Sequence, residues 1–421
     1  MKKLLLFLLV LSNLFLNAQQ IKGIFGEDNW MQSWANFKAK TTDYRSSNII
    51  LNGNIKVNTT LTADNVYLLM GTVRVTNNAI LTIDPGTIIR GDTQDIGSLM
   101  ICKGSKIFAK GTESLPIIFT SNKTASDRKA GDWGGLILLG NATLNTHGDK
   151  AFFGYDKNLT YNEYGGKDDN DNSGSLEYVR VEFGGKKDPT GYSSNGISLA
   201  GVGSKTTLEN IMISYSADDS IEVYGGVTSL YNVISYRSND DDFDFTKGAQ
   251  STIYNSLAIR HPFVSDVLKS RCFEIESYDD VKNFDATKKK TLVKIKNVSL
   301  IDIPVEEIGL PKEAVYLNKE AELEIDNCIV TGFNTFVVFD NYYLDNENFK
   351  YIRINDCIID NCLTFFSKIN FTEGSEFNED LTAVNKWFLN PLKTNIISKN
   401  GYNNLFIEGD LKKQPDFRLK Q

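Results

Sequence analysis

Two segments of this 421-residue chain carry nearly the same run of carboxylates, 22 residues apart. Residues 216–223 read SADDSIEV, and residues 238–245 read SNDDDFDF. If the two segments stack, three acidic residues lie directly over three others: Asp218, Asp219 and Glu222 over Asp240, Asp241 and Asp244. At about 5 Å and an effective dielectric constant near 20, each pair would repel by roughly 3 kcal/mol. Full solvation, a shared proton or a bound hard cation would each relieve this repulsion.

A site built only from oxygen ligands suits Ca²⁺ better than a transition metal. Ca²⁺ is therefore the candidate cofactor, with six candidate ligands in two places: Asp218, Asp219, Asp240, Asp241, Asp169 and Asp171. A second interpretation is that the Asp and Ser side chains only hydrogen-bond to nearby backbone in turns. A third is catalysis by carboxylates, for which the candidates are Asp219, Asp241, Asp242 and Asp244.

Asp169 and Asp171 belong to a separate acidic stretch, residues 165–174, which reads GGKDDNDNSG. They fall at the first and third places of a calcium loop, but Arg180 stands at the twelfth place. An EF-hand needs a bidentate Glu there, so this stretch is not an EF-hand. A calcium site of another geometry and a solvated loop both remain open.

Stacked aromatic residues are the other candidate binding feature. Tyr231 and Tyr254 occupy the same position in successive repeats, 23 residues apart. A column of tyrosines makes an amphipathic platform suited to sugar rings, and Glu222 would add a polar ligand group. Tyrosine also occurs on sheet surfaces for packing reasons alone, so that interpretation stays open.

Composition excludes several kinds of chemistry. The net charge of −8 argues against binding to nucleic acid, which requires a basic face. Two histidines leave little room for histidine-based catalysis, and the five cysteines include no CxxC pair that would indicate a zinc site.

An internal repeat indicates which elements would position these residues. A short strand followed by Asn recurs through the middle of the chain, with the asparagines at Asn210, Asn232, Asn255, Asn297 and Asn327. Asn tolerates the positive φ of a tight turn, and asparagines in register can form a hydrogen-bonded ladder about 4.8 Å from coil to coil. Nearer the N-terminus, a match of Leu81 with Leu99 suggests a shorter repeat of 18 residues.

The predicted fold is an all-β, single-stranded right-handed parallel β-helix, a solenoid with short caps at both ends. A repeat of about 22 residues holds three short strands and three turns, and no coil buries enough apolar surface alone. The predicted organisation is a signal peptide at 1–18, an N-terminal cap at 19–48, the β-helix at 49–370, and a C-terminal cap and tail at 371–421.

The basic start and short apolar run of the signal peptide predict export to the periplasm, the cell surface or the medium. No later apolar run is long enough to span a membrane, and we expect a monomer.

Several longer motifs resemble those of a group of exported Bacteroidetes β-helix proteins of the pectin-lyase-like superfamily. These motifs are GTIIRGD at 86–92, GDWGG at 131–135, LEYVRVEFGG at 176–185 and DDSIEVYGG at 218–226. The resemblance implies the same fold and adds little about activity, because members of one fold perform many functions.

SxDDSIEV is also similar to the paired-aspartate segment of polygalacturonases, but the Gly-His-Gly and Arg-Ile-Lys motifs of that family are missing. The leading hypothesis is therefore a non-catalytic secreted or cell-surface protein that binds a polysaccharide or another surface component. The alternative is a calcium-dependent polysaccharide lyase or hydrolase acting on acidic glycans.

Overall fold

The structure is a computed structural model, and it describes residues 21–154, 159–187, 194–265, 270–303, 313–344, 346–370, 375–377, 382–390 and 394–420. The predicted signal peptide, residues 1–18, lies outside the described residues.

The described chain forms 32 strands and a few short helices. The strands of the first part are β1 (Ile49–Ile55), β2 (Thr59–Leu61), β3 (Val66–Val75), β4 (Ile80–Ile83), β5 (Ile88–Gly91), β6 (Ser98–Ile101), β7 (Lys106–Lys110), β8 (Ile117–Ser121), β9 (Gly135–Leu139), β10 (Ala151–Phe152) and β11 (Glu163–Tyr164). The middle strands are β12 (Gly174–Glu182), β13 (Ile197–Val202), β14 (Thr207–Ser214), β15 (Ile221–Tyr236), β16 (Phe243–Thr246), β17 (Gln250–Tyr254), β18 (Leu257–Arg260), β19 (Phe273–Ile275), β20 (Leu292–Lys296) and β21 (Ser299–Asp302). The last strands are β22 (Glu313–Leu317), β23 (Glu322–Asp326), β24 (Ile329–Thr331), β25 (Thr335–Phe339), β26 (Ile352–Asn355), β27 (Ile358–Asp360), β28 (Thr364–Asn370), β29 (Ser375–Phe377), β30 (Ile396–Ser398), β31 (Phe406–Glu408) and β32 (Asp416–Leu419).

The helical segments are short and lie in loops and near the C-terminus. The α-helices are α1 (Leu159–Asn162), α2 (Thr382–Phe388) and α3 (Tyr402–Leu405). The 3₁₀ turns are Ala39–Thr41, Ala125–Asp127, His147–Asp149, Val281–Asn283, Asn341–Leu344 and Asn346–Tyr351. Among the described residues, no helix has the length and apolar character needed to cross a membrane.

Nearly all strand pairs are parallel, and they form three ladders that run through successive coils. Sheet A contains β1, β3, β5, β8, β12, β14, β15, β18, β21, β24, β27 and β30. Sheet B contains β3, β6, β9, β13, β15, β16, β19, β22, β25 and β28. Sheet C contains β2, β4, β7, β12, β14, β15, β17, β20, β23 and β26. Because each coil gives one strand to each sheet, the chain is a parallel β-helix, as predicted.

Alternation along each strand separates a buried interior from an outer face. In β15, Ile221 and Val223 are fully buried, whereas Glu222 between them points out of the coil. Equivalent apolar residues of successive coils stack, as Leu208, Leu230 and Ile253 do in sheet C. Most of the buried apolar residues therefore form one continuous column, and smaller apolar clusters lie outside it.

The asparagine ladder lies at the turn between sheets C and A. Nδ2 of Asn232 donates to Oδ1 of Asn210 at 2.9 Å, and Nδ2 of Asn255 donates to Oδ1 of Asn232 at 2.8 Å. All five repeating asparagines have φ between 49° and 58°. The left-handed backbone that the turn requires explains why Asn recurs at this position.

The prediction of an 18-residue repeat near the N-terminus is wrong. Leu81 of sheet C pairs with Ile107, 26 residues later, while Leu99 of sheet B pairs with Leu136. The two similar segments lie on different faces of the coil, so their likeness reflects a shared strand-and-turn pattern and not vertical stacking.

Residues 21–45, expected to belong to an N-terminal cap, run along the side of the β-helix. Their contacts extend from a late coil to a middle one, through Lys22 Nζ to Asp356 O (2.6 Å), Phe25 N to Asn255 Oδ1 (2.7 Å) and Tyr44 OH to Glu182 Oε1 (2.8 Å). We call residues 21–45 the side strap. Trp34 is fully buried in it and packs edge-on against Tyr178, which gives the side strap its own apolar anchor.

The C-terminal residues pack on the same side of the molecule. Phe417 is fully buried and lies 6.5 Å from Phe37 of the side strap, measured between ring centroids. The Arg418 guanidinium donates to the backbone oxygen of Glu27 at 2.7 Å. The two ends of the described chain therefore meet each other along one flank of the solenoid.

Candidate functional site

The outer face of sheet B brings together carboxylates from three consecutive coils. Glu222 of β15 pairs in register with Asp244 of β16, and Asp244 pairs with Glu274 of β19. Ser198 precedes this column and Tyr316 follows it. Parallel strands lie about 4.8 Å apart, so these outward carboxylates are close neighbours.

The turn before sheet B adds two further acidic residues from each of two coils, and Glu276 adds another directly after β19. We call the whole set the acidic cluster, which consists of Asp218, Asp219, Glu222, Asp240, Asp241, Asp244, Glu274 and Glu276. The stacking of the two acidic segments is confirmed, because Oδ1 of Asp219 accepts the backbone N–H of Asp241 at 3.0 Å. Oδ1 of Asp241 in turn accepts the backbone N–H of Arg271. Two of the carboxylates therefore also make the backbone hydrogen bonds expected of turn residues.

In the part of the chain that the structure describes, two groups of three carboxylates each converge closely enough to hold one cation. In the first group an oxygen from each of Asp219, Glu222 and Asp244 lies within 4.8 Å of the others, and in the second the same holds for Asp218, Asp219 and Asp240. Asp219 belongs to both groups and is only 6% exposed. Carboxylate oxygens are the ligands that Ca²⁺ prefers, and Asp219 could contribute to a site in either group.

Burial and mutual repulsion make these carboxylates hard to ionise together. Burial, with the negative charges of Asp218 and Asp244, raises the pKa of Asp219 well above its usual range. Burial raises the pKa of Glu222 to about 8, and burial together with Glu222 and Glu274 raises that of Asp244. Without a counter-ion, Glu222 therefore holds its proton at neutral pH, and Asp219 and Asp244 ionise less readily than exposed aspartates.

Neighbouring polar groups orient Glu222. Its carboxylate accepts the hydroxyl of Tyr224 and the side-chain amide of Asn195, the latter at 2.8 Å. Oδ1 of Asn195 and Oδ1 of Asp244 are buried and have no hydrogen-bond partner among the described residues. Two unsatisfied oxygens beside a carboxylate triad fit a hard cation or a hydrogen-bond donor from a ligand.

The cationic side chains around the acidic cluster are already paired. Arg271 contacts Glu313 at 2.8 Å and Glu274 at 2.9 Å, and its guanidinium lies 4.4 Å from the ring centroid of Tyr316. Lys319 contacts Glu276 at 2.5 Å. Lys247 pairs with Asp279.

Asp242 does not join the acidic cluster. It is fully buried inside the coil, where its carboxylate accepts the hydroxyl of Ser235 and lies 3.5 Å from Nη1 of the equally buried Arg260. Three consecutive aspartates occupy this turn, and the side chain of the third, Asp242, points into the coil. This burial argues against a catalytic role for Asp242, because the β-helix wall separates its carboxylate from solvent.

Asp169 and Asp171 lie in a different place and bind protein groups. Oδ1 of Asp169 accepts the amide and hydroxyl of Thr143 at 3.1 and 2.6 Å, and Oδ2 of Asp171 accepts the hydroxyl of Ser173 at 3.2 Å. Within the described residues, neither belongs to a group of three convergent metal-ligating side chains. The solvated-loop and turn interpretation fits this geometry better than a second calcium site.

Tyr231 and Tyr254 stack with ring centroids 5.3 Å apart and an angle of 26° between planes. Phe25 of the side strap packs edge-on against Tyr254 at 5.6 Å. Part of the predicted tyrosine platform is therefore used to hold the side strap.

The sequence interpretation missed Glu274 and Glu276 of the acidic cluster, and Asn195, which donates to Glu222. A signal for Glu274 existed, because Phe273-Glu274-Ile275 repeats the apolar-acidic-apolar pattern of residues 221–223 and 243–245. A longer connection before Phe273 shifts the spacing from 22 residues to 30 and hides the match.

Fold and site together define a parallel β-helix protein with an outward acidic cluster on one sheet. The chain belongs to the family of pectate-lyase-like beta helix domains, whose model matches residues 53–401. A comparison with curated proteins found no match, and a comparison with solved structures found none.

Proposed function

We propose that this protein is an exported, non-catalytic β-helix protein that binds an acidic polysaccharide through Ca²⁺ held in the acidic cluster. The observation that carries the proposal is the convergence of Asp219, Glu222 and Asp244 within 4.8 Å of one another. A divalent cation there would replace the protons that the triad otherwise needs and would present a positive charge to a ligand carboxylate.

The arrangement favours an extended ligand. The acidic column follows sheet B through three coils, so bound cations or hydrogen-bonding groups would repeat along the solenoid axis. A polymer of acidic sugars also repeats its carboxylates along one direction. Membership of the pectate-lyase-like beta helix family supports a carbohydrate-related role.

Binding is favoured over lyase chemistry because, among the described residues, no lysine or arginine side chain near the acidic cluster is available as a base. Arg271 lies between two carboxylates that raise its pKa, so its guanidinium stays protonated. Lys247 and Lys319 are each paired with an acidic residue. A lyase needs an unprotonated base beside the metal-bound substrate, and these side chains do not provide one.

Glycoside hydrolysis is the second candidate, and one observation favours it. The pKa of about 8 at Glu222 keeps this carboxyl protonated at neutral pH, as a general acid requires. The partner carboxylate would be Asp219 or Asp244, at a separation near the shorter one used by retaining enzymes, about 5 Å. It would have to ionise against its raised pKa, which is a further reason to place hydrolysis second.

Calorimetry with Ca²⁺ and affinity electrophoresis in polygalacturonate or alginate test the proposal. We expect Ca²⁺ to bind and to be required for retardation by the acidic glycan, with no retardation by neutral dextran. Asp219→Asn and Asp244→Asn should each weaken Ca²⁺ binding at least tenfold, whereas Asp169→Asn should leave it unchanged.

Product analysis separates binding from the second candidate. Incubation with each glycan, followed by assays of unsaturated products and reducing ends, should show no turnover. New reducing ends produced by the wild type but not by the Glu222→Gln variant would establish hydrolysis instead. The absence of any Ca²⁺ binding by the wild type would overturn the proposed role of the ion.

A further inference from the structure

A cleft of about 570 Å³ lies where the side strap, the start of the turn after sheet A and the C-terminal residues meet. We call it the basic cleft, and its charged and polar lining includes Lys38, Lys40, Arg237, His261, Tyr402 and Lys412. Its volume falls within the usual range for small-molecule sites, about 300–1,000 Å³.

Three separate stretches of chain build this cleft and hold it in shape. Phe37 of the side strap packs edge-on against Tyr236 at 5.2 Å, and Nζ of Lys38 donates to the backbone oxygen of Lys412 at 3.1 Å. Tyr402 is buried beside them, and its hydroxyl donates to the backbone oxygen of Gly409. Of these contacts, that of Lys38 uses an ammonium group, whereas those of Phe37 and Tyr402 leave the cationic side chains free of the walls' hydrogen bonds.

The cations of the basic cleft have no acidic partner among the described residues. No ion pair joins Lys40, Arg237 or His261 to a carboxylate there, although lysines and arginines elsewhere on this acidic protein are commonly paired. Within the described part of the chain, the carboxylate that lines the cleft is that of Asp410, and its Oδ1 accepts the backbone N–H of Lys412 at 2.9 Å. A net charge of −8 makes such a local excess of positive charge unusual.

Arg237 is held in place by the fold. It occupies a left-handed turn position with φ of 58°, and its guanidinium lies 5.1 Å from the ring centroid of Tyr236. Its Nε is buried and has no hydrogen-bond partner among the described residues. Nζ of Lys40 lies 5.0 Å from the ring centroid of Tyr215, the equivalent turn residue of the preceding coil.

His261 completes the donor set as a neutral imidazole. Burial and the nearby charges of Arg237 and Lys40 lower its pKa. Its Nδ1 accepts the backbone N–H of Phe263 at 3.4 Å, which places the proton on Nε2. A guanidinium, an ammonium and an imidazole N–H are the groups that recognise oxyanions in proteins.

We infer that the basic cleft binds an oxyanion (a carboxylate, sulfate or phosphate group) carried by a molecule about the size of a monosaccharide. Arg237 and Lys40 supply the charge, and His261 supplies a further hydrogen bond. This site is separate from the acidic cluster and does not depend on the function proposed for it.

Isothermal titration of the full mature chain tests the inference, with galacturonate, inorganic sulfate and inorganic phosphate as probes at matched ionic strength. Galactose, which has the size of galacturonate without its charge, is the neutral control. Binding of galacturonate alone identifies a sugar carboxylate as the ligand group, and binding of sulfate or phosphate identifies the corresponding free or esterified anion. Failure of all three anions to bind would overturn the inference.

Matched variants locate the site. Arg237→Gln and Lys40→Gln should each weaken anion binding at least tenfold, while Lys205→Gln, an exposed lysine on another turn, should not. Lys40 is exposed, so its variant keeps the test valid if Arg237→Gln fails to fold. Glu222→Gln should leave anion binding unchanged; equal affinity in wild type and both cleft variants would refute the assignment.

Discussion

Asn232 and Asn255, 23 residues apart in the chain, are joined by a 2.8 Å hydrogen bond from Nδ2 of Asn255 to Oδ1 of Asn232. Asn255 also accepts the backbone N–H of Phe25 through Oδ1 and donates to the Phe25 backbone oxygen. One side chain therefore links the coil-to-coil ladder to the side strap. Next along the ladder, Nδ2 of Asn297 donates to the backbone oxygen of Ile21 at 2.7 Å.

Replacement of Asn232 separates its backbone role from its hydrogen bonds. Asn232→Ala should reduce the free energy of unfolding by about 2–4 kcal/mol, because it removes two side-chain bonds and places Ala at φ 54°. Asn232→Gly loses the same bonds without the φ penalty and should be about 1 kcal/mol less destabilised than Ala. Guanidinium denaturation measures both, and equal losses would contradict the φ contribution.

Protonation of the acidic cluster predicts an unusual dependence of stability on pH. The pKa of Glu222 rises from 4.5 to about 8 on folding, so the folded state holds a proton that the unfolded state loses. Without Ca²⁺, thermal stability should therefore fall as pH increases from about 5 to about 8. Glu222→Gln should flatten this decline, and saturating Ca²⁺ should raise the melting temperature most at the high-pH end. A wild-type melting temperature that increases steadily over this range would contradict the raised pKa.

The internal pair of Asp242 and Arg260 should matter for stability alone. Asp242→Ala leaves a fully buried guanidinium without its carboxylate and should cost about 3–5 kcal/mol. The double variant Asp242→Leu with Arg260→Met removes both charges and should be less destabilised than the single variant. Calorimetry should find Ca²⁺ affinity unchanged in whichever of these variants folds. A specific loss of Ca²⁺ affinity in a folded variant would instead return Asp242 to the functional site.

The side strap should contribute to global stability and not only to local order. Trp34 is fully buried, and its Nε1 donates to the backbone oxygen of Trp30 at 2.7 Å. Trp34→Ala should therefore reduce the free energy of unfolding by about 3–5 kcal/mol. Val57→Ala, at an apolar site that is 71% exposed, is the control and should change it by less than about 0.5 kcal/mol. A negligible effect of Trp34→Ala in chemical denaturation would show that the side strap is only loosely attached.

The main part of the acidic cluster was predictable from the chain because it obeys a simple period. Residues 22 positions apart become vertical neighbours once each coil has that length, so Glu222 and Asp244 meet as expected. Glu274 was not predicted because the next coil contains a longer loop, which changes the spacing in the sequence without changing the register of the strands. Asp242 was misplaced because alternation assigns inside and outside within a strand but not within a turn.

By itself, the sequence determined that the chain winds into the repeating coils of a parallel β-helix. Alternating apolar residues need a common interior, and asparagines at a fixed spacing need a left-handed turn, so the parallel β-helix and its asparagine ladder follow from local rules repeated many times. Only the tertiary structure decided which carboxylates share one cation-sized space, that Asp242 points inward to Arg260, and that Lys40 and Arg237 face one cleft. These relationships join residues from different turns and from the two ends of the described chain, and no periodic pattern encodes contacts between segments that do not repeat.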